Sequence, residues 1–125
     1  MTSKYPFVAL PDSPRSRELQ AFCLGLEGAF EDYPGGDIVY KVGAKMFAAT
    51  GATLPVAVTV KASKEDADVL VQIPHVSRAR YIGQHGWVTV EIEDDEAWDL
   101  ARELIATSHA LVAPKRRRAA RSAGA

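Results

Sequence analysis

Apolar positions along this chain change period several times, and each change marks an element. Ser13-Pro14 reads as a helix N-cap followed by proline at the first helical position. Leu19, Phe22, Cys23 and Leu26 then recur at i, i+3, i+4 and i+7, one apolar stripe of an amphipathic helix that Gly25 and Gly28 close. Residues 29–32 predict a short strand before the turn Tyr33-Pro34-Gly35-Gly36. Residues 38–42 and 45–49 flank Gly43-Ala44, a two-residue hairpin loop with glycine first. That loop predicts Val42 opposite Lys45 and Tyr40 opposite Phe47, sharing a face with Ile38 and Ala49. Val39, Lys41, Met46 and Ala48 take the other face, so Lys41 and Lys45 are expected on opposite sides. Val56, Val58 and Val60 alternate with Ala57, Thr59 and Lys61, a half-buried strand with Pro55 at its start or on an edge.

Ser63-Lys64-Glu65-Asp66 opens a second helix, close to a capping box, that runs to about Gln72 and stops before Pro74. Residues 73–86 read as a connector. Residues 87–93 alternate again, with Val88, Val90 and Ile92 on one side and Trp87, Thr89, Glu91 and Glu93 on the other. The last helix begins near Asp94–Glu96, where acids complement the helix dipole, and Pro114 lies just past its end. Its apolar side carries Ala97, Leu100, Ala101, Leu104, Ile105, Ser108, Leu111 and Val112, and it is expected to pack through Leu104, Ile105 and Leu111. Residues 1–12 form an irregular segment, 13–113 a single domain and 114–125 a disordered basic tail. Short loops between strands favour antiparallel pairing. The expected fold is α+β: a single antiparallel β-sheet with helices packed on one face.

Composition narrows the setting. A length of 125 residues suits one domain with a core that needs no staples. The single cysteine excludes an intrachain disulfide and a thiolate cluster, and suits a reducing compartment. Cys23 lies on the helix stripe and reads as a small buried hydrophobe. No apolar run approaches the ~20 residues that span a bilayer, and residues 1–10 lack a signal-peptide pattern. A soluble cytoplasmic protein with no membrane partner is expected.

Charge is segregated. Residues 1–113 hold ten basic and sixteen acidic residues, a formal −6, while Lys115, Arg116, Arg117, Arg118 and Arg121 fill the tail. Between Ile38 and Ile82 the sign reverses: Lys41, Lys45, Lys61, Lys64, Arg78 and Arg80 face Glu65, Asp66 and Asp68, locally +3. Tyr81 and Trp87 adjoin this basic stretch and offer rings for stacking on bases or on a ligand.

Catalytic constellations are thin. His75, His85 and His109 form no metal-ligand pair at helical spacing, and no nucleophile elbow, phosphate loop or dinucleotide fingerprint occurs. The acidic run Glu91, Glu93, Asp94, Asp95, Glu96 offers carboxylates for a cation, but strand alternation scatters its first members and a helix N-terminus accounts for the rest. A non-enzyme with no cofactor and no metal is expected.

Three segments carry a resemblance: Lys41-Val42-Gly43-Ala44-Lys45-Met46-Phe47-Ala48, the run from Ala79-Arg80-Tyr81-Ile82-Gly83 through Gln84-His85-Gly86-Trp87-Val88, and the final helix from Leu104 to Val112. In order and spacing they resemble the MmcQ/YjbR-like family of small bacterial proteins, over roughly residues 15–113. His109 stands where that family usually has tyrosine, and the basic tail lies outside the resemblance. The resemblance implies a fold related to frataxin-like and secretion-chaperone-like architectures. It also implies a double-wing mode of DNA binding, in which two β-hairpin loops reach the duplex.

Two readings stay open. One is a DNA-binding protein, weak and sequence-tolerant, that uses Lys41, Lys45, Lys61, Arg78, Arg80, Tyr81 and Trp87 with the tail residues Lys115, Arg116, Arg117, Arg118 and Arg121. The other is a non-enzymatic domain that binds a protein or a small ligand on the open sheet face.

Overall fold

The computed structural model describes residues 4–80 and 82–114. Along the chain run α1 (Pro14–Leu24), β1 (Ala29–Asp32), β2 (Ile38–Val42), β3 (Lys45–Thr50), β4 (Ala57–Lys61), α2 (Lys64–Leu70), β5 (Val76–Arg78), β6 (Trp87–Glu91) and α3 (Asp95–Val112). Short 3₁₀ turns occupy Pro34–Gly36 and Gly83–His85. Each helix starts on a side-chain cap: Ser13, Ser63 and Asp94 accept from the backbone N–H of Ser16, Asp66 and Ala97. The six strands form one antiparallel sheet in the order β1–β2–β3–β4–β6–β5.

The β2–β3 hairpin departs from the expected register. Val42 does pair with Lys45, and Gly43 takes φ 62 in the loop. Lys41 then pairs with Met46 but Tyr40 with Ala48, so Phe47 is an extra residue, a bulge. The expected Tyr40–Phe47 pair is therefore replaced, and the two alanines exchange faces. Ala48 joins Ile38, Tyr40 and Phe47 in the core, while Ala49 pairs with Val39 on the open face. The bulge breaks the ladder to β4, and α3 repairs it. The buried Ser108 hydroxyl accepts from Lys61 N at 2.9 Å and donates to Phe47 O at 2.6 Å, which satisfies two interior backbone groups.

All three helices cover one face. Leu19 and Cys23 of α1, Ala67 of α2, and Trp98, Ala101 and Ile105 of α3 pack against Tyr40, Phe47, Val58, Val60, Val88 and Val90. Thr59 Oγ1 and Thr89 Oγ1 are hydrogen-bonded at 2.8 Å on the opposite, open face. Residues 73–86 hold more than a connector, since Val76–Arg78 adds an edge strand to β6. One apolar position in three gives no alternation to read. α2 closes at Leu70 with Val71 as its C-cap, slightly short of Gln72.

The last helix packs through a narrower stripe than expected. Its buried residues are Trp98, Ala101, Ile105, Ser108 and Val112, whereas Leu104 is half-buried and Leu111 exposed. Trp98 bridges to α1, with Arg15 and Arg102 over its ring and Phe22 edge-on at 6.0 Å. Ile105→Ala should cost about 3 kcal/mol by leaving a cavity. Leu111→Ala should stay within about 0.5 kcal/mol. Urea melts of the two variants check the assignment; equal losses would contradict it.

Candidate functional site

Antiparallel strands place residues far apart in sequence at one end of a sheet. Here the end at Gly43-Ala44 takes the start of β1, the close of β2, the start of β3, the close of β4, the close of β5 and the start of β6. Lys41, Lys45, Lys61, Arg78 and Trp87 therefore lie at this hairpin end, and Arg80 follows directly after β5. The end of α3 reaches it too: a Cβ on Gly43 would meet Pro114 Cγ at 3.5 Å. Tyr81, Lys115, Arg116, Arg117, Arg118 and Arg121 lie outside the described residues.

The cations are not equivalent. Lys41 is bound to Asp32 at 3.2 Å on the open face, where only about a quarter of its side chain is exposed. Arg78 lies opposite Val88 on the helix side and pairs with Asp68 of α2. Lys45 is exposed beside Val42 on the helix side, so Lys41 and Lys45 do occupy opposite faces. Lys61 pairs across the ladder with Trp87 on the open face, both half-buried. Lys45, Lys61 and Arg80 have no ion-pair partner among the described residues. Acids collect at the other end, where Asp37 precedes β2 and Glu91, Glu93, Asp94, Asp95 and Glu96 connect β6 to α3.

His109 adds a tie at the hairpin end. Its ring stands edge-on to Phe47 at 5.0 Å, and its Nε2 lies 2.8 Å from the carbonyl oxygen of Glu27. The imidazole thus joins α3 to the segment between α1 and β1.

A trough of about 580 Å³ crosses the open face. Its floor is Val39, Met46, Ala49, Thr59 and Thr89; Pro34 and Asp37 wall one side, and Ala79, Arg80 and Ile82 the other. The floor is apolar apart from the paired threonine hydroxyls, and its walls carry one acid and one base. The volume is that of a small-ligand site. Alternation groups Val39 with Met46 and sets Thr59 and Thr89 opposite the valines of their strands, without choosing which face is open; the bulge at Phe47 is what brings Ala49 to join them. Pro34, Asp37 and Ile82 carried no sequence signal for the site, because the walls come from turns whose positions depend on the assembled sheet. Among the described residues, no helix is long and apolar enough to cross a membrane.

The comparisons agree with this architecture. No curated protein matches the chain. A crystal structure of a Deinococcus radiodurans protein with a DUF419 domain is similar, with a TM-score of 0.70 and 27% identity over 77% of this chain and 76% of that one. The profile of the YjbR family matches residues 24–111, which span β1 to β6, α2 and nearly all of α3. By that match the chain belongs to the YjbR family.

Proposed function

We propose that this protein is a non-enzymatic DNA-binding protein that holds the duplex by its phosphates, weakly and with little sequence preference. The observation that carries the reading is the gathering of Lys45, Lys61 and Arg80, free of ion pairs, at the hairpin end. Pro114 reaches the same end, and the sequence continues from it as Lys115-Arg116-Arg117-Arg118. The acids of the opposite end face away from a duplex bound there, although Glu65 and Asp66 at the start of α2 lie near the cations and limit the attraction. Lysines and arginines on strand ends reach phosphates and position the protein without reading bases. Trp87 beside Lys61 adds a ring that stacks on an exposed base.

Three domain cations with five tail cations would neutralise about eight phosphates, for a log–log salt slope near −7. Affinity for a 20-base-pair duplex should then fall about 10⁴-fold between 50 and 200 mM salt. Changing Lys45, Lys61 and Arg80 together to alanine should flatten the slope by about 3, and removing residues 115–125 by about 4 to 5. Fluorescence anisotropy at several salt concentrations measures both. A slope unchanged by the triple variant would remove the folded domain from the interface.

A second reading rests on the open-face trough, whose apolar floor and opposed Arg80 and Asp37 suit a small amphipathic ligand. Salt separates the two readings, since a ligand held on Val39, Met46 and Ala49 would bind almost independently of ionic strength.

A further inference from the structure

We propose that His75, Glu91 and Glu93 form a surface site for a first-row divalent transition cation, at the end of the sheet opposite the lysines. The pairing of β5 with β6 builds it. Val76 lies opposite Val90, and Glu91 N donates to His75 O at 2.9 Å. Residues remote in sequence thereby meet on one edge. One ligand atom from each side chain, a ring nitrogen and two carboxylate oxygens, lies within 4.8 Å of the other two. His75 Nδ1 and Glu93 Oε2 are already 3.2 Å apart. Ligands bonded to one such ion at about 2.0–2.2 Å stand roughly 3–4 Å from each other, so small rotations of exposed side chains would close all three donors on one ion.

The donor set selects the metal. One imidazole with two carboxylates suits zinc, iron(II) or manganese(II), whereas magnesium and calcium favour oxygen alone. The charge also asks for a cation. Asp94 is engaged with Ala97 N and Asp95 with Arg15, but Glu91 has no ion-pair partner among the described residues. Three protein ligands leave positions open to solvent. His75 also lines a cavity of about 360 Å³ with Ile73, Pro74, Asp94 and Leu100, which gives an incoming ligand room beside the ion.

Calorimetric titration of the full chain with zinc chloride tests the site. One equivalent is expected to bind, and 1 mM magnesium should not displace it. His75→Asn keeps a residue tolerant of the φ of 71 found there, and should weaken binding at least tenfold. The double variant Glu91→Gln with Glu93→Gln should do the same, the size of loss seen even when a residue that only hydrogen-bonds a metal ligand is changed. Thermal melts of both variants without metal should match the parent. Absence of stoichiometric uptake, retention of full affinity in both variants, or displacement by magnesium would each overturn the proposal.

Discussion

Gly86→Ala is expected to cost at least about 4 kcal/mol, the range reached only when a specific mechanism is at work. Gly86 follows the 3₁₀ turn at Gly83–His85 and leads into β6 with φ 93, in the left-handed region that L side chains rarely adopt. Its carbonyl accepts from Ala62 N at 3.0 Å. A Cβ would stand 2.2 Å from Ala62 O and 3.1 Å from Ser63 C. Those atoms are backbone, fixed on one side by the end of β4 and on the other by the Ser63 cap of α2, so no side chain can swing away. Gly35 provides the control. It has φ 65, yet a Cβ there meets nothing within 4 Å, so Gly35→Ala should cost only the conformational penalty of about 1–2 kcal/mol. Urea denaturation of both variants measures the difference. Equal costs would mean that the approach of Gly86 to Ala62 has slack. The segment it anchors carries Arg80 and leads into Trp87, so under the DNA-binding proposal the same change should also remove the share of affinity that Arg80 and Trp87 supply.

What could be read from the sequence divides along physical lines. Caps and alternation act over a few residues: Ser13, Ser63 and the valines of β4 and β6 are used as expected, and Asp94, expected only to complement the helix dipole, is itself the cap. The bulge was not legible, because Phe47 and Ala48 are both apolar and either could be the inward residue. Only the assembled layer decides, with Ser108 supplying the bridging hydroxyl. α3 shows the same limit. Trp98 belongs to its buried stripe and Leu111 does not, a choice made by where α1 lies and not by hydrophobicity.

The candidate sites follow suit. A basic middle segment is visible as a count, but its meaning depends on strand direction, which turns scattered lysines into one end of a sheet. Lys41 and Arg78 look as available as Lys45 in the sequence; the structure ties them to Asp32 and Asp68. The grouping of His75 with Glu91 and Glu93 was not legible in the sequence, since it is reached only across a three-residue edge strand that composition does not announce.

Stability should fall steeply above pH 9, and the cause lies between α1 and β2. Burial, followed by the charge of Glu31, pushes the Cys23 thiol up from an ordinary 9.0 to about 12. Tyr40 is fully buried, and its hydroxyl has no hydrogen-bond partner among the described residues. Its phenol is held well above the ordinary tyrosine value, first by burial and then by Glu31. Tyr33 rises from 10.0 to about 12, chiefly through burial and then through its 2.6 Å hydrogen bond to Glu31. In the unfolded chain these groups release protons from about pH 9 or 10, whereas the folded chain holds them. The unfolded state therefore gains on every alkaline step, and stability that is complete below pH 9 drains away between 9 and 12. At about 1.4 kcal/mol per pH unit, Cys23 alone would account for roughly 4 kcal/mol by pH 12. Tyr33, partly open to solvent, adds less. Urea melts at pH 8, 10 and 11.5 should show the loss, and Cys23→Ala, after a fixed cost at pH 8, should show a visibly shallower decline. A parallel decline in the parent and Cys23→Ala would clear the thiol. In that outcome the tyrosines beside Glu31 would carry the effect, and Tyr33→Phe would be the variant to flatten it.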